Sequence, residues 1–228
     1  TQKISSKGKN IIYHASQSMP HTSSGYAIRT HGLTSSLNSK GYDVDVVLRN
    51  GYPLDRSDFK GDVVNAVEEI ENVSYYFSHT NPEESSLINY QEVYNFNMLK
   101  EYENQAIRSI ISSAKKSNPV AIHSASNFVV GLAGARAAKA LGIPSIYEIR
   151  GFWHLTQSTK REGYEGSDHY NLSERLEIQT AKESDYVFTI TNALKDILVE
   201  NGVNESKISV LPNAVDSSKF DIIPKDEN

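Results

Sequence analysis

Residues 120–149 read VAIHSASNFVVGLAGARAAKALGIPSIYEI. The stretch opens on a short apolar run, Val120 to His123, of the length of a buried strand. Phe128 to Leu141 follows, rich in Ala, the strongest helix former. Gly142 supplies a helix stop, and Pro144 precedes a second strand, Ser145 to Ile149. Two short, continuous apolar strands joined by a helix predict parallel pairing, because a parallel connection needs a long crossover.

The same alternation extends in both directions. On the amino-terminal side, Ile11-Ile12-Tyr13 reads as a strand, and Gln17 to Ser24 as a polar, Ser-rich loop. Gly25 to Lys40 reads as a helix ended by Gly41, and Asp43 to Leu48 as the next strand. Arg49 to Gly61 carries turn signals, Val63 to Ile70 fits no single period, and Val73 to Phe77 reads as a strand. A loop with Asn81-Pro82 leads into a long helical segment, roughly Asn89 to Lys116, ended by Asn118-Pro119. On the carboxyl-terminal side a polar, aromatic loop spans Gly151 to Tyr170, and a helix runs from Ser173 to about Glu183. Asp185 to Ile190 reads as a strand, Asn192 to Glu200 as a helix, and Ile208 to Leu211 as a last strand. The expected fold is α/β: one doubly wound parallel sheet of six or seven strands, Rossmann-like, with five or six helices on both faces. Such sheets bind ligands at the carboxyl ends of their strands. That directs attention to Gln17–Gly25, Ser124–Asn127, Arg150–Tyr170 and the turn after Ile190.

Composition narrows the function. The 228 residues hold 23 Lys+Arg against 28 Asp+Glu, a net charge of -5, which disfavours nucleic acid as a partner. Cysteine is absent, which removes disulfides, thiolate metal sites and cysteine nucleophiles, and fits a reducing cytoplasm. The seven histidines show no zinc-like spacing, so no metal and no bound cofactor are expected. Dinucleotide, Walker-type phosphate-loop, H-E-x-x-H and G-x-S-x-G motifs are all missing.

Two clusters remain. Ser24 and Gly25 stand where the first strand hands over to a helix amino terminus, a place whose N–H groups suit a phosphate, with Arg29 one turn in. The same residues also fit an ordinary cap and turn. Glu148-Ile149-Arg150-Gly151-Phe152-Trp153-His154 gathers a carboxylate, a guanidinium, an imidazole and the single Trp at a strand end. Its alternative reading is packing, with Arg150 paired to Glu148 or Glu177.

Three ordered segments carry a family resemblance. They are Pro20…Ser24-Gly25-Tyr26-Ala27-Ile28-Arg29-Thr30 with Gly41-Tyr42-Asp43-Val44; Ala121 to Ser126 through Gly142-Ile143-Pro144 to Trp153; and Ser184 to Thr191 with Leu211-Pro212-Asn213-Ala214-Val215-Asp216…Phe220. In this set the chain resembles the amino-terminal, acceptor-side half of GT-B glycosyltransferases of the large retaining family 4. The resemblance implies sugar transfer from a nucleotide sugar, as co-substrate, to a saccharide or lipid-linked saccharide, in bacterial surface or capsular polysaccharide synthesis. It implies that Ser24, Gly25 and Arg29 face the donor phosphate. It also implies that Arg150 and His154 are catalytic, where many members carry a His, and that Ser124, Ser126 and Trp153 hold the acceptor. The expected organisation is a polar tail over 1–9, a Rossmann-like domain over 10–212, and a linker over 213–228 toward a donor-binding domain outside this chain. The chain alone is then expected to be inactive. A cytoplasmic location is expected, with peripheral contact at the inner membrane face; Arg108, Lys115 and Lys116 are too few to make residues 107–116 a basic docking helix. Two other functions fit the fold: a stand-alone saccharide-binding or regulatory module, and half of a sugar-nucleotide epimerase.

Overall fold

The structure is a computed structural model, described here over residues 8–80 and 96–215. Its strands are β1 (Asn10–Ala15), β2 (Asp43–Leu48), β3 (Val67–Ile70), β4 (Val73–Tyr76), β5 (Ala121–Ala125), β6 (Ser145–Ile149), β7 (Tyr186–Thr189) and β8 (Ile208–Val210). They form one sheet in the order β3-β4-β2-β1-β5-β6-β7-β8. Every neighbouring pair is parallel except β3 with β4. The antiparallel hairpin resolves the ambiguous stretch 63–70. Glu68 and Glu69 interrupt its apolar pattern, and an edge strand tolerates such charges because only one side of it is paired.

Six α-helices connect the strands among the described residues: α1 (Gly25–Ser39), α2 (Phe96–Ser117), α3 (Phe128–Leu141), α4 (Trp153–Ser158), α5 (Asp168–Glu183) and α6 (Asn192–Glu200). Short polar side chains cap four of them. Ser24, Asn127, Ser167 and Thr191 accept from the N–H groups of Ala27, Val129, Tyr170 and Leu194. Gly142 closes α3 at φ 70°, the left-handed cap its sequence position predicts. The expected loop 151–170 differs. It holds α4, and α5 begins at Asp168, five residues before the expected Ser173, because Ser167 provides the cap. The proposed start of the long helix near Asn89 and the Asn81-Pro82 loop lie outside the described residues, as do Asp216 and Phe220 of the junction motif.

Both faces of the sheet are covered. Tyr13, Val44, Val46 and Tyr75 meet Leu37 of α1 on one face. On the other, Ile12 and Ile122 pack on Ala106, Ile110 and Ala114 of α2 and on Ala133, Ala137 and Ala138 of α3. Tyr147, Ile149 and Val187 extend that face under Ile178 and Ala181 of α5 and Leu198 of α6. Helix α3 lies unusually close. A Cβ on Gly131 would stand 2.3 Å from the Tyr147 ring and 2.6 Å from Thr180 Cγ2, so only glycine fits. From β1 the chain turns one way to β2, whereas β5 to β8 run the other way. The crevice between the carboxyl ends of β1 and β5 is therefore the topological switch point where such sheets bind ligands.

Candidate functional site

At the switch point, α1 starts beside the end of β1. Its Ser24 Oγ accepts from Ala27 N–H at 3.3 Å and from Gln17 Nε2 at 2.9 Å. No group among the described residues accepts from the N–H of Gly25 or Tyr26, and no heavy atom lies within 4 Å of a Cβ built on Gly25. Both donors are free for an anion at the positive end of the helix.

Beneath this turn lies a buried charge network centred on Glu148, which is 0% exposed. Its Oε1 accepts from Arg29 Nε at 2.6 Å and Arg150 Nε at 3.0 Å. Its Oε2 accepts from Tyr13 OH at 2.5 Å and Arg150 Nη2 at 3.3 Å. His123 Nε2 stands 3.1 Å from Oε2. Burial by itself would raise the Glu148 pKa. Contact with His123 and the charge of Arg150 outweigh it and hold the carboxyl well below the usual carboxylate range. Burial, then the Glu148 charge, pushes the Tyr13 phenol up, so Tyr13 stays neutral. Two guanidiniums against one carboxylate leave net positive charge below the α1 turn.

Arg150 is turned inward. Nη1 donates to Tyr26 O at 2.8 Å and Thr30 Oγ1 at 2.9 Å, and Nη2 to Tyr13 OH at 2.5 Å. It braces α1 from below and does not line the crevice surface, so the pairing with Glu148 is the reading that holds. Gly151 follows at φ +148°, a conformation side chains avoid. Arg29, expected to face a donor phosphate, is directed elsewhere: besides Glu148 it donates to the chain leaving β8.

Two hydroxyls expected to hold an acceptor lie below the surface, and their strand register is the reason. Ser124 pairs beside Tyr147 and points under α3, where its Oγ fills the place of a Gly134 Cβ. Ser126 Oγ accepts from Arg150 N at 2.7 Å and donates to Glu148 O at 3.2 Å, fixing the exit of β6. His154 is 3% exposed; its Nδ1 has no partner among the described residues, and burial lowers its pKa. It stacks on Phe152 and meets the edge of Tyr170. Trp153 stays partly exposed, tilted 5.8 Å from the His169 ring.

Glu177, assigned to structure at the sequence level, has that place. It is wholly buried, accepts from Phe128 N at 3.0 Å and from Tyr147 OH, and burial pushes its pKa up to about 7. Asp185 likewise accepts from Ser145 N and Oγ, both at 2.8 Å. Sequence reading missed Tyr13, a core-strand aromatic whose hydroxyl gives no periodic signal. No group of three or more His, Asp or Glu residues among the described residues could hold a metal. No helix among them is long and apolar enough to cross a membrane.

A sequence model of Glycosyltransferase Family 4 matches residues 23–219, most of the chain and both clusters. The chain belongs to glycosyltransferase family 4. No curated protein matches it. Among solved structures it is similar to the UDP-GlcNAc 2-epimerase of Neisseria meningitidis bound to UDP-GlcNAc, at 15% identity and TM-score 0.52, covering 88% of this chain and 45% of that one. It is similar to the Methanocaldococcus jannaschii UDP-GlcNAc 2-epimerase with UDP-GlcNAc and UDP, at 18% identity and TM-score 0.52, covering 88% and 45%. It is also similar to the Anabaena protein HepE in complex with UDP, at 12% identity and TM-score 0.54, covering 94% and 47%. At such identities the likeness shows the fold, that of a GT-B amino-terminal lobe. This family 4 domain spans a little under half the length of those structures.

Proposed function

We propose that this domain is the acceptor-side lobe of a retaining glycosyltransferase that moves a sugar from a nucleotide sugar to a saccharide or lipid-linked saccharide. The observation that carries the reading is the open first turn of α1 at the switch point, with the free Gly25 and Tyr26 N–H groups over net positive charge. As the sugar–phosphate bond breaks, negative charge grows on the leaving phosphate. Donors already fixed in place stabilise that charge without reorganising. Glu148, the carboxylate nearest the turn, is clamped by two guanidiniums, so it is no nucleophile; positioning and phosphate stabilisation carry the rate. Arg150 acts as a positioning residue through Tyr26 O and Thr30. Trp153 and the α4 rim hold the acceptor, and residues 213 onward lead to a lobe that binds the nucleotide. Surface or capsular polysaccharide is the acceptor class, reached at the inner membrane face.

A second reading, half of a sugar-nucleotide epimerase, is favoured by the solved structures of similar fold. One experiment separates the two. The intact protein is screened for thermal stabilisation by nucleotide sugars, and the best binder is then incubated with and without saccharide acceptors. Release of nucleotide diphosphate only with acceptor, with the anomeric configuration kept, is expected. Conversion of the sugar nucleotide to its epimer without acceptor overturns the transferase reading. Trp153→Ala is expected to cut transfer at least about tenfold while the fold survives; the parent rate would return Trp153 to packing.

A further inference from the structure

Arg29 ties together elements far apart in sequence. Its Nε donates to Glu148 Oε1, Nη2 to Leu211 O at 3.0 Å, and Nη1 to Pro212 O and Asn213 Oδ1, both at 3.0 Å. Leu211 to Asn213 is the segment by which the chain leaves β8, and Leu211 N is itself anchored on Thr189 O at 2.7 Å. Glu148 in turn grips Arg150, whose Nη1 holds Tyr26 O and Thr30 Oγ1 in the first turns of α1. A continuous path of hydrogen bonds thus runs from the exit segment through Arg29, Glu148 and Arg150 to Tyr26 O and Thr30 Oγ1 in the first turns of α1. Four contacts in a planar fork require the guanidinium, since an ammonium cannot reproduce their directions.

We propose that Arg29 is a positioning residue, a latch that sets the direction in which the chain departs after β8 relative to the anion-facing turn of α1. On the reading that a nucleotide-binding lobe follows, the latch registers that lobe against the turn that meets the donor phosphate. Arg29 acts through Asn213, Pro212 and Leu211 and touches no substrate.

These 228 residues contain no cysteine, so only cysteines outside them need replacing before spin labels are placed. Ser36 on α1 and Val215 beyond the latch, both exposed, are replaced by cysteine and labelled in the intact protein. A single narrow distance distribution is expected in the parent. Arg29→Ala is expected to broaden it at least twofold, Arg29→Lys nearly as much, and Asn213→Ala less, since it removes one contact. Unchanged widths in Arg29→Ala overturn the latch. If Arg29→Ala does not melt cooperatively, Arg29→Lys and Asn213→Ala decide in its place, with unchanged widths in both overturning it. In the transfer assay Arg29→Lys is expected to lower kcat about tenfold or more with the acceptor KM within twofold; a change confined to KM overturns the positioning role. Broadening without any transfer by the parent keeps the latch and removes the transferase reading.

Discussion

Helices α1 and α3 both begin at the carboxyl edge of the sheet, on either side of the switch point, and each has a fully buried glutamate beneath its first turn. The two carboxylates occupy opposite faces of β6. Glu148 lies on the α1 side among Arg29, Arg150 and Tyr13. Glu177 lies on the α3 side with Tyr147 and, among the described residues, no cation partner. Glu148 finds its neutralising charge in side chains and leaves the α1 N–H groups of Gly25 and Tyr26 free. Glu177 takes Phe128 N–H as its partner, and Asn127 takes Val129 N–H, so the α3 turn is closed by the protein itself. The difference explains why one helix start is a candidate anion site and its neighbour is not. A buried carboxylate without a cation uses the helix's own donors.

The largest expected effect strikes the charged side. Glu148→Ala leaves the buried Arg150 and the partly buried Arg29 without their carboxylate, at a cost of about 3 kcal/mol in urea unfolding. The depressed pKa fixes the sign with pH. The contribution of Glu148 is present above its unfolded value, about 4.3, and is lost as pH falls through its folded value. Parent-like unfolding of Glu148→Ala would mean that the network holds nothing. The neutral side behaves oppositely. Glu177 has a raised pKa of about 7, so its contribution is full below pH about 4.3 and declines as pH rises to 7, a loss of about 3 kcal/mol. Glu177→Gln removes the charge and keeps Phe128 N–H on its amide oxygen, while its NH2 donates to the Tyr147 hydroxyl instead of accepting from it. It is expected to match the parent near pH 4 and to exceed it in stability at pH 8. Parallel pH profiles for parent and variant would dissolve the contrast between the two glutamates.

Much of this edge was legible before the coordinates. Strand and helix order followed from short apolar runs and from Gly142, because those signals are local. Ser24 and Gly25 were found for the same reason, since a cap lies within three residues of its partner. The other candidate residues have neighbours that the sequence does not report. Sequence located Ser124 and Ser126 at a strand end but not on a face, and alternation turns Ser124 toward α3. Sequence points Arg29 toward a phosphate because its partners at Leu211 and Pro212 lie more than 180 residues away. Glu148 stands in plain view within Glu148-Ile149-Arg150-Gly151-Phe152-Trp153. Its second cation, Arg29, came from a helix whose register against β6 no periodicity reports.

A smaller effect probes the packing that keeps Glu177 in place. Gly131→Ala forces a methyl into the Tyr147 ring, which is hydrogen-bonded to Glu177. Overpacking costs about 1–3 kcal/mol, and the better helix propensity of Ala returns up to about 1. A net loss of about 1–2 kcal/mol is expected by thermal unfolding. Because Gly131, Tyr147 and Glu177 share one contact, Gly131→Ala and Glu177→Gln together should depart from additivity by about 0.5 kcal/mol or more. Strict additivity would mean that the methyl is absorbed without moving the ring.

The smallest effect separates cap from site in α1. Ser24→Ala removes the Ala27 cap and costs about 1 kcal/mol, whereas Ser24→Gly costs a few tenths, because water reaches the freed N–H. The ligand response should not follow that order. If the anion is held by the Gly25 and Tyr26 backbone, Ser24→Gly keeps the thermal shift given by a nucleotide sugar. The serine oxygen accepts from Gln17 and Ala27, so its O–H proton is all that it has to offer a phosphate, and the variant tests whether that proton is used. A Ser24→Gly protein that melts like the parent but no longer responds to the ligand would make the hydroxyl the contact. It would also make the open turn of α1 as much a matter of side chains as the closed turn of α3.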